Sequence, residues 1–372
     1  MTDVAISSID THQKTLLVSG ACGVTSRTIV RALRKSPRFS RTRLIGTDIC
    51  DNPFGLFEGL YERIYRVPPL SDPHAYLACI RDISHAERVD AAIVVPELEV
   101  LFWATNHMPV PALLPPARFG KEAISKSRVY QLLKDTGLVP AHEILTREAI
   151  LAGFICERFG GSVWLRDVSE GSTSGKGAIH VHSQEEAMAW MVLNKGISHF
   201  MASEFLPGRN LACIMLFKQG ELIKLGCYER LEYFMAKTVI SGVSGNISKG
   251  RLINDPKAVE VSKRAVEALC RHTGEVMHGL VTVDLRTDAE DNSKVTEINL
   301  RQVAAASAFA EVEGANLAEA HALATLGLWH DIGPLEVTFP PNNRLFRDID
   351  GLPVFVPLYE EVAIGQSYST RP

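Results

Sequence analysis

The sequence predicts a mixed α/β chain. A doubly wound domain with a parallel sheet comes first, and an α+β region built on antiparallel strands follows. Three observations carry this. Between Thr15 and Asp48 the order is strand, glycine turn, helix, strand, acid, the opening of a βαβ unit. Residues 281–301 hold two runs of period-two alternation joined by a polar loop. Between these regions, short apolar runs alternate with glycine-rich turns, and one long helix carries its own start and stop signals.

Residues 15–19 are an apolar strand ending in Gly20-Ala21-Cys22-Gly23, and a helix over 26–35 buries Ile29, Val30 and Leu33. The strand 43–46 ends at Thr47-Asp48. This matches a dinucleotide-binding opening except that Ser26 stands where a third glycine belongs; a tight turn at the edge of any parallel sheet reads the same way. A helix with Tyr76, Leu77 and Ile80 and the strand 91–95 complete the doubly wound part, whose strands read as nearly continuous apolar runs. Pro109, Pro111, Pro115 and Pro116 mark a boundary. Ser125-Lys126-Ser127 then opens a helix that Gly137 closes. Tyr130 and Lys134 have the spacing of an acid/base pair, but their neighbours are those of a plain amphipathic helix. A strand over 163–166 leads into Glu170-Gly171-Ser172-Thr173-Ser174-Gly175-Lys176-Gly177, a turn rich in donors that suits phosphate or a hairpin tip. His180 and His182 share a strand face without a third ligand nearby. A helix over 184–193, strands over 200–203, 211–217 and 222–225, and a second glycine-rich loop over 241–250 follow. Asp255 caps a helix with Pro256 at its first position, running to about His272 before Gly274. A last helix covers 316–328.

The hairpin over 281–301 has the most chemistry. Val281, Val283 and Leu285 alternate with Thr282, Asp284 and Arg286; Val295, Glu297, Asn299 and Arg301 alternate with Thr296, Ile298 and Leu300. A symmetric register sets Asp284 opposite Glu297, where like charges repel. A divalent cation between them reverses the sign, with Asn299 as a third oxygen and Arg301 within reach of an anion on the metal. A solvent-facing hairpin is the plainer reading.

Length and composition bound the rest. A chain of 372 residues is long for one core and predicts two or three subdomains. A net charge of −4 without a Lys/Arg block argues against nucleic acid as a partner. No apolar run reaches about 18 residues, so no membrane-spanning helix is expected. The polar first stretch argues against a signal peptide. Seven cysteines without a C-x-x-C pair fit a reducing cytoplasm.

In order and spacing these pieces resemble the ATP-grasp superfamily, and within it the carboxylate–amine ligases of the branch related to carbamoyl-phosphate synthase. The residues that carry the resemblance are Lys126 before a short helix, Arg166 ending a strand, the Gly/Ser loop, Glu204-Phe205-Leu206, and Asp284 followed by Glu297-Ile298-Asn299-Leu300-Arg301. The resemblance implies an ATP-grasp fold: a Rossmann-like domain over 1–115, a linker helix and mobile β-rich lid over 116–203, a central antiparallel domain over 204–330, and an extension over 331–372. It implies that Lys126 and Arg166 touch the nucleotide phosphates, that Gly171, Ser172, Ser174, Gly175, Lys176 and Gly177 close over them, and that the backbone of Glu204, Phe205 and Leu206 reads adenine. Asn210 takes the ribose position; Asp284, Glu297 and Asn299 hold one or two Mg²⁺, with Mn²⁺ as a substitute; Arg301 stabilises the transferring phosphoryl group. Arg230, with Ser241, Ser244 and Lys249, lies on segments that face the acceptor. Three positions depart from the pattern: Arg166 stands where lysine is common, Asn210 where an acid is, and Leu300 where proline is.

The implied activity is an ATP-dependent ligase. A small-molecule carboxylate is activated as an acyl phosphate, with ADP as product, and an amine then forms an amide or peptide bond. A homodimer is the usual assembly of proteins it resembles. The competing reading is an NAD(P)-dependent oxidoreductase or epimerase using Gly20, Gly23, Asp48, Tyr130 and Lys134. A third is a nucleotide-binding protein without turnover.

Overall fold

The first strand, β1 (Thr15–Ser19), is buried along its whole length, as a strand covered on both faces must be. With β2 (Arg43–Asp48), β3 (Arg63–Arg66) and β4 (Ala91–Ile93) it forms a parallel sheet in the order β3-β2-β1-β4, and Ser367–Tyr368 adds an antiparallel edge strand beside β3. The strand order reverses at β1, which makes the carboxyl ends of β1 and β4 the switch point of the sheet. Gly20 makes the turn after β1: its φ is +62°, and a Cβ there would lie 2.7 Å from Pro96 Cγ. The helix Val24–Lys35 follows and packs its Ile29, Val30 and Leu33 into the core, as the periodicity predicts.

The computed structural model describes residues 11–153, 155–169, 177–238, 240, 242, 245–303, 305–348 and 361–368. The chain divides into two compact units. One comprises Met1–Leu114, Arg301–Leu335 and Pro353–Pro372; the other comprises Pro115–Leu300 and Glu336–Leu352. Residues 301–335 therefore group with the parallel sheet, not with the strands that precede them in sequence.

The second unit holds two antiparallel sheets. Strands β5 (His142–Thr146), β6 (Val163–Asp167), β7 (Ile179–Val181) and β8 (His199–Ser203) form the smaller, in the order β5-β8-β6-β7. Strands β9 (Asn210–Lys218), β10 (Glu221–Tyr233), β11 (Ile247–Ile253), β12 (Gly279–Thr287), β13 (Ser293–Asn299) and β14 (Leu345–Phe346) form the larger, in the order β13-β12-β9-β10-β11-β14. The helix Pro256–Thr273 backs this sheet against β9 and β13. Its caps are those the sequence predicts: the Asp255 side chain accepts from the Ala258 amide at 3.0 Å, and Gly274 turns left-handed at φ +68°.

Two expectations change. The glycine-rich stretch over 241–250 is not a loop throughout, because Ile247–Ile253 pairs with β10 as β11; Ser241 and Ser244 lie outside the described residues. Strand β10 runs to Tyr233, well past Leu225, because β9 pairs with it over Glu221–Arg230 and β11 takes over from Cys227 to Tyr233. Tertiary pairing overrides local composition in both cases. No helix among the described residues is long and apolar enough to cross a membrane.

Candidate functional site

Strands β12 and β13 pair with Asp284 directly opposite Glu297 and Thr282 opposite Asn299. This is the register the symmetric hairpin predicts, with one correction. Asp284 pairs with Glu297 while Leu285 pairs with Val295, so Thr296 is an extra residue, a β-bulge. Strict alternation puts Val295 on the face of Glu297; the bulge turns it to oppose Leu285, and both are buried. The Thr296 carbonyl accepts from Arg166 Nη2 at 2.9 Å, and its hydroxyl donates to the Asp284 carbonyl at 3.1 Å. An apolar residue thus returns to the core while a carbonyl is presented to β6 of the smaller sheet.

The face that carries Asp284 continues across the sheet. Asp284 opposes Ala212 on β9, and Ala212 opposes Tyr228 on β10; Arg286 opposes Asn210, which opposes Arg230. The small Ala212 leaves a lane along which Arg230 reaches Asp284. Arg230 Nη2 donates to Asp284 Oδ1 at 2.6 Å, and Nη1 donates to Asn210 Oδ1 at 3.0 Å and the Leu211 carbonyl at 3.1 Å. The guanidinium also lies 5.0 Å from the Tyr228 ring centroid. Burial works against the Arg230 charge, but Asp284, Tyr228 and Tyr233 outweigh it and hold its pKa above the ordinary arginine value. Asn299 Nδ2 lies 3.4 Å from Asp284 Oδ2, and Lys126 Nζ pairs with Glu297 Oε1 at 3.0 Å. Each carboxylate of the hairpin therefore faces a cation that is itself largely buried.

Lys126 opens the helix Lys126–Leu133, whose N-cap is Ser125, with its side chain accepting from the Arg128 amide. Arg166 is the penultimate residue of β6, lies 4.8 Å from the Tyr130 ring centroid, and is nearly buried. Tyr130 is core: its ring meets His142 edge-on, and burial raises its phenol pKa despite Arg166. Lys134 is exposed, so Tyr130 and Lys134 form no acid/base pair. Asn210 Nδ2 donates to Tyr233 Oη at 2.8 Å. The Glu204 amide donates to the Ala141 carbonyl at 2.9 Å; Phe205 is half-buried and Leu206 buried. His180 stacks on the Phe205 ring at 3.5 Å, with His182 beside it, which accounts for the histidine pair without a metal.

Gly177 ends the donor-rich turn with φ +64°, and a Cβ there would lie 2.5 Å from Ile197 Cδ1. Gly171, Ser172, Ser174, Gly175 and Lys176 lie outside the described residues. Arg301 follows the hairpin, opens the segment that groups with the first unit, and donates to the Gln302 carbonyl at 3.2 Å. Lys249 pairs with Glu232 across β10 and β11 at 2.7 Å. Among the described residues no three His, Cys, Asp or Glu side chains gather as a metal cluster. What the hairpin offers is two carboxylates and an amide, a donor set that suits a hard cation taking its other oxygens from phosphate.

In the first unit the dinucleotide motif is spent on the protein itself. The Cys22 and Cys50 amides each donate to Asp48 at 2.9 Å, one to each oxygen. Ser26 is buried and its hydroxyl donates to the Ser19 carbonyl at 2.9 Å. Missed in the sequence were the bulge at Thr296, the pairing of Lys126 with Glu297, and Tyr228 and Tyr233. Only the polar side of the hairpin's alternation pointed to Arg286.

No family model matches the chain, and no curated protein matches it. Solved structures do. An L-amino acid ligase from Bacillus licheniformis is 17% identical, with 87% of this chain and 78% of that chain covered at a TM-score of 0.62. Phosphoribosylamine–glycine ligase from Thermotoga maritima is 15% identical over 87% of this chain and 78% of its own, with a TM-score of 0.61. Carboxyaminoimidazole ribonucleotide synthase from Aspergillus clavatus, complexed with ATP, is 17% identical over 85% and 78%, with a TM-score of 0.60. At such identities the likeness is one of architecture: the chain has the ATP-grasp fold.

Proposed function

We propose that the protein is an ATP-dependent ligase that activates a small-molecule carboxylate as an acyl phosphate and joins it to an amine. The observation that carries this reading is the face built by Asp284, Glu297 and Asn299, flanked by Lys126 and Arg230. Phosphoryl transfer asks a protein mainly for positioning and charge neutralisation, and this face offers both. Asp284, Glu297 and Asn299 are the residues to hold one or two Mg²⁺, or Mn²⁺, which when bound neutralise phosphate charge.

In the first step a substrate carboxylate oxygen forms a bond to the γ-phosphorus, the bond from that phosphorus to the β,γ-bridging oxygen breaks, and ADP leaves. In the second, the amine nitrogen bonds to the acyl carbon, the carbon–oxygen bond to phosphate breaks, and the amine loses a proton to phosphate or water. Lys126, beside Glu297, is the cation set to meet a phosphate oxygen. Arg230 is a positioning residue: it fixes the Asp284 carboxylate and, through Asn210, the start of β9. The backbone of 204–206 receives the base. Arg166, Gly177 and the turn before it belong to the phosphate side, and Arg301 to the transferring group. The amine and carboxylate are small molecules, the compartment is the cytoplasm, and a homodimer is the expected assembly.

The test is nucleotide turnover with Mg²⁺ and a mixed pool of amino acids and small carboxylic acids, with ADP resolved from AMP. ADP and phosphate that require both an acid and an amine, with a new amide mass, are the expected products. AMP and pyrophosphate would mean adenylation and overturn the acyl-phosphate route.

A further inference from the structure

The polar face of the larger sheet carries a second arginine, and its surroundings differ from those of the first. Arg286 lies on β12 two residues past Asp284 and opposite Asn210. Arg209, Arg230 and Arg251 each meet a carboxylate: Arg209 meets Glu229 and Asp255, Arg230 meets Asp284, and Arg251 meets Glu229. Among the described residues Arg286 meets none. Its guanidinium carbon lies 5.7 Å from the Phe205 ring centroid, and its Nε is buried without a hydrogen-bond partner. A desolvated cation without a counter-charge or full hydrogen bonding destabilises the chain that carries it.

The neighbourhood shows what completes it. Thr287 ties the end of β12 to the segment after Leu206: its carbonyl accepts from the Gly208 amide at 3.0 Å and its hydroxyl from the Arg209 amide at 2.8 Å. Arg286 is thereby fixed beside 204–206. Among the described residues the amides of Phe205 and Leu206 have no partner. A half-buried donor-only cation and two unengaged amides thus converge beside Phe205, whose ring already stacks on His180.

We propose that Arg286 recognises the nucleotide base: its guanidinium donates to acceptor atoms of a purine held by the 204–206 backbone. This rests on the ligase reading, which puts a nucleotide on this face. Guanidinium has five donors and no acceptor, so it complements purine ring nitrogens and gains a second acceptor where the base carries a 6-oxo group. The contact proposed is with the base and not the phosphates, because Arg286 lies by Phe205, one pleat along β12 from Asp284.

Calorimetric titration of the full chain with ADP, GDP and inorganic tripolyphosphate tests this in wild type, Arg286→Met and Arg286→Lys. Methionine keeps length and apolar contact with Phe205. The expected result for Arg286→Met is a dissociation constant raised about tenfold for ADP and at least as much for GDP, the loss of one charge-assisted contact. Tripolyphosphate binding is unchanged, Arg286→Lys is intermediate, and the melting temperature of the ligand-free Met variant equals or exceeds that of wild type. Unchanged nucleotide binding overturns the proposal. So does an equal loss for tripolyphosphate, which would make Arg286 a phosphate ligand, or a lowered melting temperature, which would make it structural. A wild-type protein that binds none of the three ligands instead sinks the ligase reading, before any variant is made.

Discussion

Asp48 and Asp284 both sit on strands beside clusters of polar residues, and they are held in opposite ways. Asp48 is gripped by two backbone amides, from Cys22 and Cys50, one on each oxygen. Asp284 is gripped by side chains, Arg230 on Oδ1 and Asn299 on Oδ2. Backbone amides are fixed by the fold and carry no net charge, so Asp48 works as a tie between two turns. Side-chain cations can be exchanged for a metal or balanced by a phosphate, which is what the ligase reading asks of Asp284. An acid after a glycine turn is therefore weak evidence of a ligand when the turn's own amides consume it. An acid facing a second acid, each with its own cation, is much stronger evidence.

The sharpest way to break the comparison is to neutralise one acid in each region. Glu297→Gln keeps shape and hydrogen bonding but removes the charge opposite Asp284. Turnover to ADP should fall by roughly a hundredfold or more, the scale of removing one electrostatic partner from a reacting centre. Circular dichroism and the melting temperature should stay close to wild type. A fully active variant would remove the metal assignment. Asp48→Ala should do the reverse. It strands two amides, so unfolding free energy should fall by about 1–3 kcal/mol, while turnover per folded molecule persists. Denaturant titration alongside the ADP assay measures both, and a variant that is stable but inactive would place chemistry at Asp48.

Much of the larger sheet was legible because its determinants are local. Alternation in 281–286 and a symmetric loop were enough to set Asp284 against Glu297, and Asp255-Pro256 with Gly274 bounded a helix. Bulge geometry is not local. Val295 obeys the pattern of Glu297 in sequence and the pattern of Leu285 in space, and only the packing of Leu285 decides between them. Strand β11 was hidden by Gly250 and the glycines that precede it, because its stability comes from β10. Lys126 and Glu297 are far apart in the chain, and nothing in either stretch announces the other. The motif in the first unit leaves two readings open for a related reason: composition shows an acid and a turn but not whether the acid is already engaged.

A pH series sharpens the same contrast within the first unit. Glu99 is buried, and burial raises its pKa from 4.5 to about 7, with Tyr76 and Ser19 hydrogen bonds opposing the shift. Tyr76 Oη lies 2.7 Å from Glu99 Oε2, and Trp103 Nε1 donates to Tyr76 Oη at 3.0 Å. The folded state therefore holds the proton more tightly than the unfolded one. This contribution is fully present below the unfolded pKa and is lost as pH rises through the folded one, with a slope of about 1.4 kcal/mol per pH unit between them. His321 acts in the opposite sense, since burial lowers its pKa from 6.5 to about 4. Its contribution is present above the unfolded value and is lost as pH falls toward the folded one. Denaturant unfolding at pH 5 and pH 8, compared between wild type and Glu99→Gln, isolates the first effect. The variant should lose less stability than wild type on going to the higher pH, and identical pH profiles would show that Glu99 titrates normally.

The smallest effect is expected at the residue that most nearly makes the chain look like a dinucleotide binder. Ser26→Gly supplies the missing third glycine. If Ser26 were a lapse from that motif, the change would bring a phosphate closer to the helix start, and NAD would bind more tightly. The structure gives Ser26 work of its own: its hydroxyl donates to the Ser19 carbonyl in a buried contact at the turn that ends β1. Removing it should cost about 1–2 kcal/mol, one hydrogen bond plus the added freedom of glycine in a helix. NAD titration should show no binding before or after the change, because the Asp48 oxygens needed for a ribose still hold the Cys22 and Cys50 amides. NAD affinity gained in Ser26→Gly would revive the oxidoreductase reading. A loss of stability alone would leave the glycine turn as scaffold and the hairpin of Asp284 and Glu297 as the seat of the chemistry.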